Sequence, residues 1–128
     1  MIYVFLFAVV RVLIRDLRSA TRERSVEIGR LIVVASESGE PPAGAVFSLD
    51  AVNTMGRDVN NAIVVEDQFA SANHCILTFR GRAWFLEDLA STNGTYINGT
   101  PVQGTASVGY GDEIQVGEVR LRLERGRR

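Results

Sequence analysis

The chain has 128 residues, of which 46% are hydrophobic, and a formal net charge of −1 at pH 7. This length favours one domain. The single cysteine, Cys75, and the single histidine, His74, exclude an internal disulfide, a cysteine-based zinc site and any mechanism that needs two histidines. Residues 31–119 carry three arginines against eleven acids, whereas residues 11–30 carry six arginines against three acids. Because nucleic-acid binding needs a basic face, the acidic body predicts no nucleic-acid partner.

The first element is apolar. Residues 2–10 form an unbroken hydrophobic run, and Arg11 and further arginines come directly after it. A spanning helix needs roughly 20 apolar residues, so this run is short. The arginines after the run keep the rest of the chain in the cytoplasm under the positive-inside rule. We therefore predict an N-terminal membrane-anchor helix over residues 1–18 and a linker over 19–29, with the domain at the cytoplasmic face of the cell membrane. An amphipathic helix packed on the domain or on a partner is the alternative.

From residue 30 onward the chain alternates short apolar runs with turn residues, and no window has a helical period. The strand-like runs cover residues 31–35, 45–49, 53–56, 62–65, 74–79, 83–89, 95–97, 113–117 and 119–124. The last run alternates strictly, with Val119, Leu121 and Leu123 on one face and Arg120 and Arg122 on the other. Many short strands with frequent turns predict an all-β sandwich or barrel.

Two hairpins organise this pattern. Asn98-Gly99 suits a two-residue turn with positive φ, and Pro101 just after it suits an edge strand. The runs 74–79 and 83–89 predict a second hairpin with Gly81 at its tip. Antiparallel pairing then brings together the loop before this hairpin and the loop after it.

The two loops carry hydroxyl and amide side chains, namely Ser71, Asn73, Thr92 and Asn93. Such groups suit an oxyanion or an extended peptide backbone, but they lack a cation. A phosphate is best held by a guanidinium group. Arg80 and Arg82 belong at the opposite end of the hairpin, which leaves Arg57 to complete a phosphate pocket.

The residues Gly56-Arg57, Ser71-x-x-His74 and Thr92-Asn93-Gly94-Thr95 stand in an order and spacing that resemble the forkhead-associated (FHA) domain. The resemblance covers roughly residues 30–125 and leaves a basic tail at 126–128. It implies an FHA-like β-sandwich of about eleven strands that binds phosphothreonine peptides on loops at one end, with the chain ends at the other. It implies no cofactor, metal or catalytic residue.

The resemblance also implies roles for individual residues. Arg57 would pair with the phosphate, while Ser71 and Thr92 would hydrogen-bond its oxygens. The Thr92 loop would help to form a slot for the threonine methyl group. Asn93 would hold the peptide backbone just after the phosphothreonine.

Three further residues would support this site: Gly56 and Gly94 through close backbone approach, and His74 by bracing the Ser71 loop. One position departs from the family pattern. The residue after the serine is usually Arg, Lys or Asn, a further phosphate ligand, but here it is Ala72. This departure predicts weaker phosphate binding or greater reliance on Arg57.

An enzyme is the contrasting hypothesis, because Ser71, His74 and Asp88 supply the residue types of a hydrolase triad. However, no nucleophile-elbow pattern surrounds Ser71. His74 and Cys75 are adjacent on a predicted strand, so they point to opposite faces and cannot form a dyad. We therefore expect no enzymatic activity.

The sequence thus predicts a bacterial adaptor that binds a phosphothreonine-containing protein. The adaptor would act downstream of Ser/Thr protein kinases, with the kinase or its substrates as partners, and would recruit a phosphorylated protein to the membrane. The alternative is a degenerate FHA scaffold that binds an unphosphorylated protein, a hypothesis that Ala72 supports.

Overall fold

A computed structural model describes residues 28–126, which form eleven β-strands in two sheets. The six-stranded sheet contains, in spatial order, β2 (Val46–Ser48), β1 (Arg30–Ser36), β11 (Val119–Glu124), β10 (Glu113–Val116), β7 (Thr95–Ile97) and β8 (Thr100–Pro101). The five-stranded sheet contains β4 (Ile63–Val64), β3 (Val52–Gly56), β5 (Cys75–Arg80), β6 (Ala83–Asp88) and β9 (Thr105–Val108). The predicted all-β sandwich is confirmed.

Alternating side chains put one face of each sheet into a common core. In β11, Val119, Leu121 and Leu123 are fully buried, whereas Arg120 and Arg122 are exposed. Inward-facing residues of both sheets pack together, and burial of their apolar surface stabilises the sandwich. The cluster includes Leu31, Val33, Met55, Leu77, Leu86, Ile114 and Val116.

Both predicted hairpins are present. Strands β5 and β6 pair from Cys75 opposite Asp88 to Arg80 opposite Ala83. Gly81 and Arg82 between them have φ values of 58° and 63°, as a type I′ turn requires. Asn98 and Gly99 adopt φ values of 50° and 82° and connect β7 to β8. Pro101 lies in β8, an edge strand, as predicted.

One strand was not predicted from the sequence pattern. Strand β9 has the residues Thr-Ala-Ser-Val and carries only a weak apolar signal. It forms because its backbone pairs with the open edge of β6, with Trp84 opposite Val108. Strand β4 is shorter than the apolar run 62–65 and pairs in parallel with β3.

The described chain starts and ends beside the β5–β6 turn. The Tyr110 hydroxyl donates to the carbonyl of Ile28 at 2.9 Å, and the Trp84 indole lies 3.4 Å from that hydroxyl. The guanidinium of Arg125 lies 5.0 Å from the centre of the Tyr110 ring. We call this end of the sandwich, defined by Ile28, Trp84, Tyr110 and Arg125, the chain-terminus end.

The predicted helix over residues 1–18 lies outside the described residues, as does the linker except for Ile28 and Gly29. Between residues 28 and 126, no helix is long and apolar enough to cross a membrane. The anchor therefore stays a prediction.

Candidate functional site: a cleft between three loops

A cleft of about 270 Å³ opens at the end of the sandwich opposite the chain-terminus end. Three loops meet there: the β3–β4 loop (57–62), the β4–β5 loop (65–74) and the β6–β7 loop (89–94). The lining residues are Arg57, Gln68, Phe69, Ala70, Ser71, Ala72, Thr92 and Asn93. The two loops predicted to meet by hairpin pairing therefore do meet, and the Arg57 loop joins them.

Backbone contacts fix the position of Arg57. Its N–H donates to the carbonyl of Ser71 at 2.9 Å, and the next N–H, of Asp58, donates to the carbonyl of Ala72 at 3.2 Å. This close approach requires Gly56, because a Cβ atom there would lie 2.2 Å from the Ala72 carbonyl oxygen. The two loops are thus joined by backbone hydrogen bonds at Arg57 itself and at the next residue.

The guanidinium of Arg57 has no carboxylate within salt-bridge distance among residues 28–126. The neighbouring Asp58 carboxylate instead accepts the N–H of Asn60 at 2.9 Å and closes its own turn. Arg57 and the neighbouring Asp58 therefore form no ion pair with each other. The exposed guanidinium keeps its fork of donors for a ligand.

Asn61 is a supporting residue that the sequence did not single out. Its side-chain amide donates to the carbonyls of Ala72 at 2.7 Å and Asp58 at 2.9 Å, and only 6% of the residue is exposed. Turn-forming asparagines are common, so the sequence pattern alone carried no signal for a bond across eleven residues.

His74 joins the second loop to the third. The N–H of Ser71 donates to His74 Nδ1 at 3.0 Å, so Nδ1 is an acceptor. Nε2 therefore carries the hydrogen and donates to the carbonyl of Gly94 at 2.9 Å. The residue is fully buried. His74 thus braces both loops, as the resemblance implies.

The hydroxyl groups of Ser71 and Thr92 lie side by side. The N–H of Thr92 donates to Ser71 Oγ at 3.0 Å, and the two hydroxyl oxygens are 3.5 Å apart. A separation of 3.5 Å makes at most a weak hydrogen bond, so both hydroxyl hydrogens can turn to a ligand. Together with Arg57, they form a set of donors suited to an anion.

Asn93 closes the other side of the cleft. Its side-chain amide donates to the carbonyl of Phe69 at 2.9 Å, and the Tyr96 hydroxyl donates to the Asn93 carbonyl at 3.2 Å. A carboxamide has two donor hydrogens and two acceptor lone pairs, so one bond leaves capacity for another backbone.

The third loop is held from below by Asp88. Its carboxylate accepts hydrogen bonds from the Ser91 hydroxyl at 2.5 Å, the Ser91 N–H at 3.2 Å and the Thr95 hydroxyl at 2.6 Å. Burial alone would raise the pKa of Asp88, but these hydrogen bonds outweigh it and hold the pKa below its ordinary value of 3.8. The ionised carboxylate therefore stabilises the loop at neutral pH.

These hydrogen bonds do not form a nucleophile–base pair. Both ring nitrogens of His74 are engaged by backbone groups, and Ser71 Oγ accepts a backbone N–H. Asp88 is engaged by Ser91 and Thr95. Burial raises the pKa of the Cys75 thiol to about 12, so this thiol is protonated at neutral pH. The triad considered from residue types has no counterpart in this geometry.

The cleft gathers the four predicted ligand residues and adds others. Arg57, Ser71, Thr92 and Asn93 all line it, while Asn73 is exposed but absent from the lining. The cleft is also lined by Gln68, Phe69 and Ala70, to which no sequence motif gave a role. By type, Phe69 is indistinguishable from a core residue, and only its position in the fold reveals its exposure.

The family model of the FHA domain matches residues 53–117, and this chain belongs to that family. FhaB of Mycobacterium tuberculosis is 27% identical over 139 residues, which cover 96% of this chain and 89% of FhaB. The glycogen accumulation regulator GarA of the same organism is 37% identical over 82 residues, covering 63% of this chain and half of GarA.

Solved structures agree with this assignment. The FhaA FHA domain complexed with the intracellular domain of Rv3910 is 27% identical, with a TM-score of 0.64 over 75% of this chain and 99% of that one. A structure from a study of phosphothreonine-dependent FHA domain interactions is 26% identical, with a TM-score of 0.65 over 75% of this chain and 94% of that one.

Proposed function

We propose that this protein is a phosphothreonine-dependent adaptor that acts downstream of Ser/Thr protein kinases. The observation that carries the proposal is the meeting of Arg57, Ser71 and Thr92 at one cleft. A phosphate monoester has a charge of about −1.5 to −2 at pH 7 and several strong acceptor oxygens. A guanidinium and two hydroxyls match that ligand in charge and in hydrogen bonding.

The remaining lining supports a peptide rather than free phosphate. Asn93 retains hydrogen-bonding capacity that fits the C=O and N–H groups of an extended chain. By its resemblance to other FHA domains, the Thr92 loop would help to form a slot for the threonine methyl group, which would distinguish phosphothreonine from phosphoserine. The relatives point the same way, since one matched structure comes from work on phosphothreonine-dependent FHA interactions.

Ala72 favours a second candidate function. Its side chain lines the cleft and has no polar atom, so Arg57 is the one basic residue among the lining residues. A scaffold that binds an unphosphorylated protein through the same loops would not need a second phosphate ligand.

Titration with a degenerate phosphothreonine peptide library distinguishes the two functions. Matched phosphoserine and unphosphorylated libraries serve as controls, and calorimetry reports the affinity. The adaptor requires a clear preference for phosphothreonine. Equal binding of all three libraries would overturn it and favour the scaffold.

We further propose that residues 1–18 anchor the protein and place the domain at the cytoplasmic face of the cell membrane. The described chain begins at Ile28, at the chain-terminus end. A tether from that end would leave the cleft accessible to a phosphorylated partner. Cell fractionation tests the anchor, because deletion of residues 1–18 should move the protein from the membrane to the soluble fraction. Full-length protein in the soluble fraction would contradict it.

A further inference from the structure

Phe69 is an exposed aromatic residue in the wall of the cleft. It is 43% exposed, and its backbone is held on both sides. Its N–H donates to Asp67 Oδ2 at 3.0 Å, and its carbonyl accepts the Asn93 side chain at 2.9 Å. These two hydrogen bonds fix the backbone of Phe69 next to Asn93, the residue proposed to hold the peptide.

The backbone of Glu118 lies beside that of Phe69. The N–H of Glu118 donates at 3.1 Å to the same Asp67 Oδ2 that binds Phe69. Gly117 permits this packing, because a Cβ atom there would lie 2.4 Å from that oxygen. The β10–β11 turn therefore packs against the β4–β5 loop. The backbone N–H groups of Glu118 and Phe69 both donate to the same oxygen of Asp67.

Glu118 is exposed and makes no ion pair within the described part of the chain. The other two glutamates near β11 differ from it, because Glu113 pairs with Arg120 and Glu124 pairs with Arg122. Phe69 and Glu118 thus offer an exposed aromatic ring and an unpaired carboxylate on neighbouring segments, a combination that suits a cationic side chain.

The charge of the domain points to the same ligand. Residues 30–125 have twelve acids against seven arginines, and Ala72 adds no cation to the cleft. A doubly charged phosphate is therefore opposed by the long-range field of the domain. A basic residue in the peptide would reduce this repulsion, whereas an acidic residue would add to it.

From these contacts we infer that Phe69 and Glu118 form a subsite for an arginine or lysine side chain that comes after the phosphothreonine in the bound peptide. The inference rests on the proposed phosphothreonine binding. Asn93 sets the direction, because it is proposed to hold the backbone just after the phosphothreonine and is bonded to Phe69. The basic side chain stacks on the ring of Phe69, and its charge faces the carboxylate of Glu118.

The test compares phosphothreonine peptides that carry arginine, leucine or glutamate at the positions after the phosphothreonine. Each peptide is also made with unmodified threonine. The arginine peptide should bind about threefold to tenfold more tightly than the leucine peptide, and the glutamate peptide most weakly. Equal or weaker binding of the arginine peptide would overturn the inference.

Two variants locate the preference. Phe69→Leu keeps an apolar side chain but removes the ring, and Glu118→Gln removes the charge. Each should reduce the ratio of arginine to leucine affinity, and this ratio, rather than either affinity alone, is the quantity compared with the unsubstituted protein. Glu124→Gln is the matched control, since it lies about 20 Å away at the other end of β11. An unchanged ratio in both variants would overturn the assignment to Phe69 and Glu118.

The two proposals fail in different ways. If the phosphothreonine peptides bind more tightly than the threonine peptides but show no dependence on the next residues, the adaptor stands and the basic subsite does not. If arginine peptides bind equally with and without phosphate, the phosphothreonine proposal fails.

Discussion

The two ends of the sandwich are built from different interactions. At the chain-terminus end, Gly29 packs tightly against the Trp84 indole. Phe79 packs against the same indole, and the two ring centres are 4.9 Å apart. At the cleft end, the three loops are joined mainly by hydrogen bonds that use backbone groups, through His74 and Asn61. Packing closes one end, whereas a backbone network supports the other and leaves Arg57, Ser71 and Thr92 available to a ligand.

The largest expected effect is the loss of phosphopeptide affinity on substitution of Arg57, without a loss of stability. Arg57→Ala removes the cation of the cleft and should reduce the binding free energy of a phosphothreonine peptide by about 2–5 kcal/mol. Because the side chain is exposed, the unfolding temperature should change little. Arg82→Ala, in the turn of the β5–β6 hairpin, is the matched control and should bind normally. Equal losses in both variants would contradict the site.

Glycine-to-alanine substitutions at the two ends of the sandwich should differ in their effects. At the cleft end the substitution should lower both peptide affinity and stability, whereas at the chain-terminus end it should lower stability alone. Gly56→Ala places a methyl group against the Ala72 carbonyl and should lower both peptide affinity and stability, the latter by about 1–3 kcal/mol. Gly29→Ala would put a Cβ 2.8 Å from the Trp84 ring and should lower stability without changing affinity.

Thermal unfolding and peptide titration check this pair. Gly109→Ala serves as a control for both, because its Cβ would meet only an ordinary contact at 3.6 Å. Lost affinity in Gly29→Ala would show that the two ends are coupled.

A basic side chain in place of Ala72 should increase the affinity for a phosphothreonine peptide. Ala72→Arg adds a second guanidinium at the cleft and should tighten phosphothreonine binding by about tenfold, as expected for a charge-assisted hydrogen bond. The affinity for unphosphorylated peptide should not rise in parallel. A parallel rise would mean that the added charge acts through the domain field rather than on the phosphate.

The smallest expected effect is the pH dependence of the cleft end. The pKa of Asp88 is lower in the folded protein than in the unfolded chain, so its contribution to stability is present above the ordinary value of 3.8. That contribution should be lost as the pH falls below 3.8 through the folded-state pKa. Asp88→Asn should flatten the stability profile in this range in thermal unfolding. An unchanged profile would contradict the proposed support of the third loop.

Part of the fold could be predicted from the sequence because neighbouring residues determine it. The strict alternation of β11 and the turn residues Asn98-Gly99 predicted elements that are present. Strand β9 was missed because it depends on pairing with β6 rather than on its own residues. Asn61 and Phe69 were missed for a related reason, since their importance lies in contacts and exposure that neighbouring residues do not encode.

By itself the sequence determined the class of fold, the two hairpins and the set of residue types that suits an anion. Hairpin pairing is a local consequence of turn chemistry, so it also predicted that Ser71 and Thr92 meet. The tertiary structure decided how Arg57 joins them, through the contact of Gly56 with Ala72, and how His74 orients both loops. It also placed Glu118 beside Phe69, because the shared oxygen of Asp67 connects segments that are far apart in the chain.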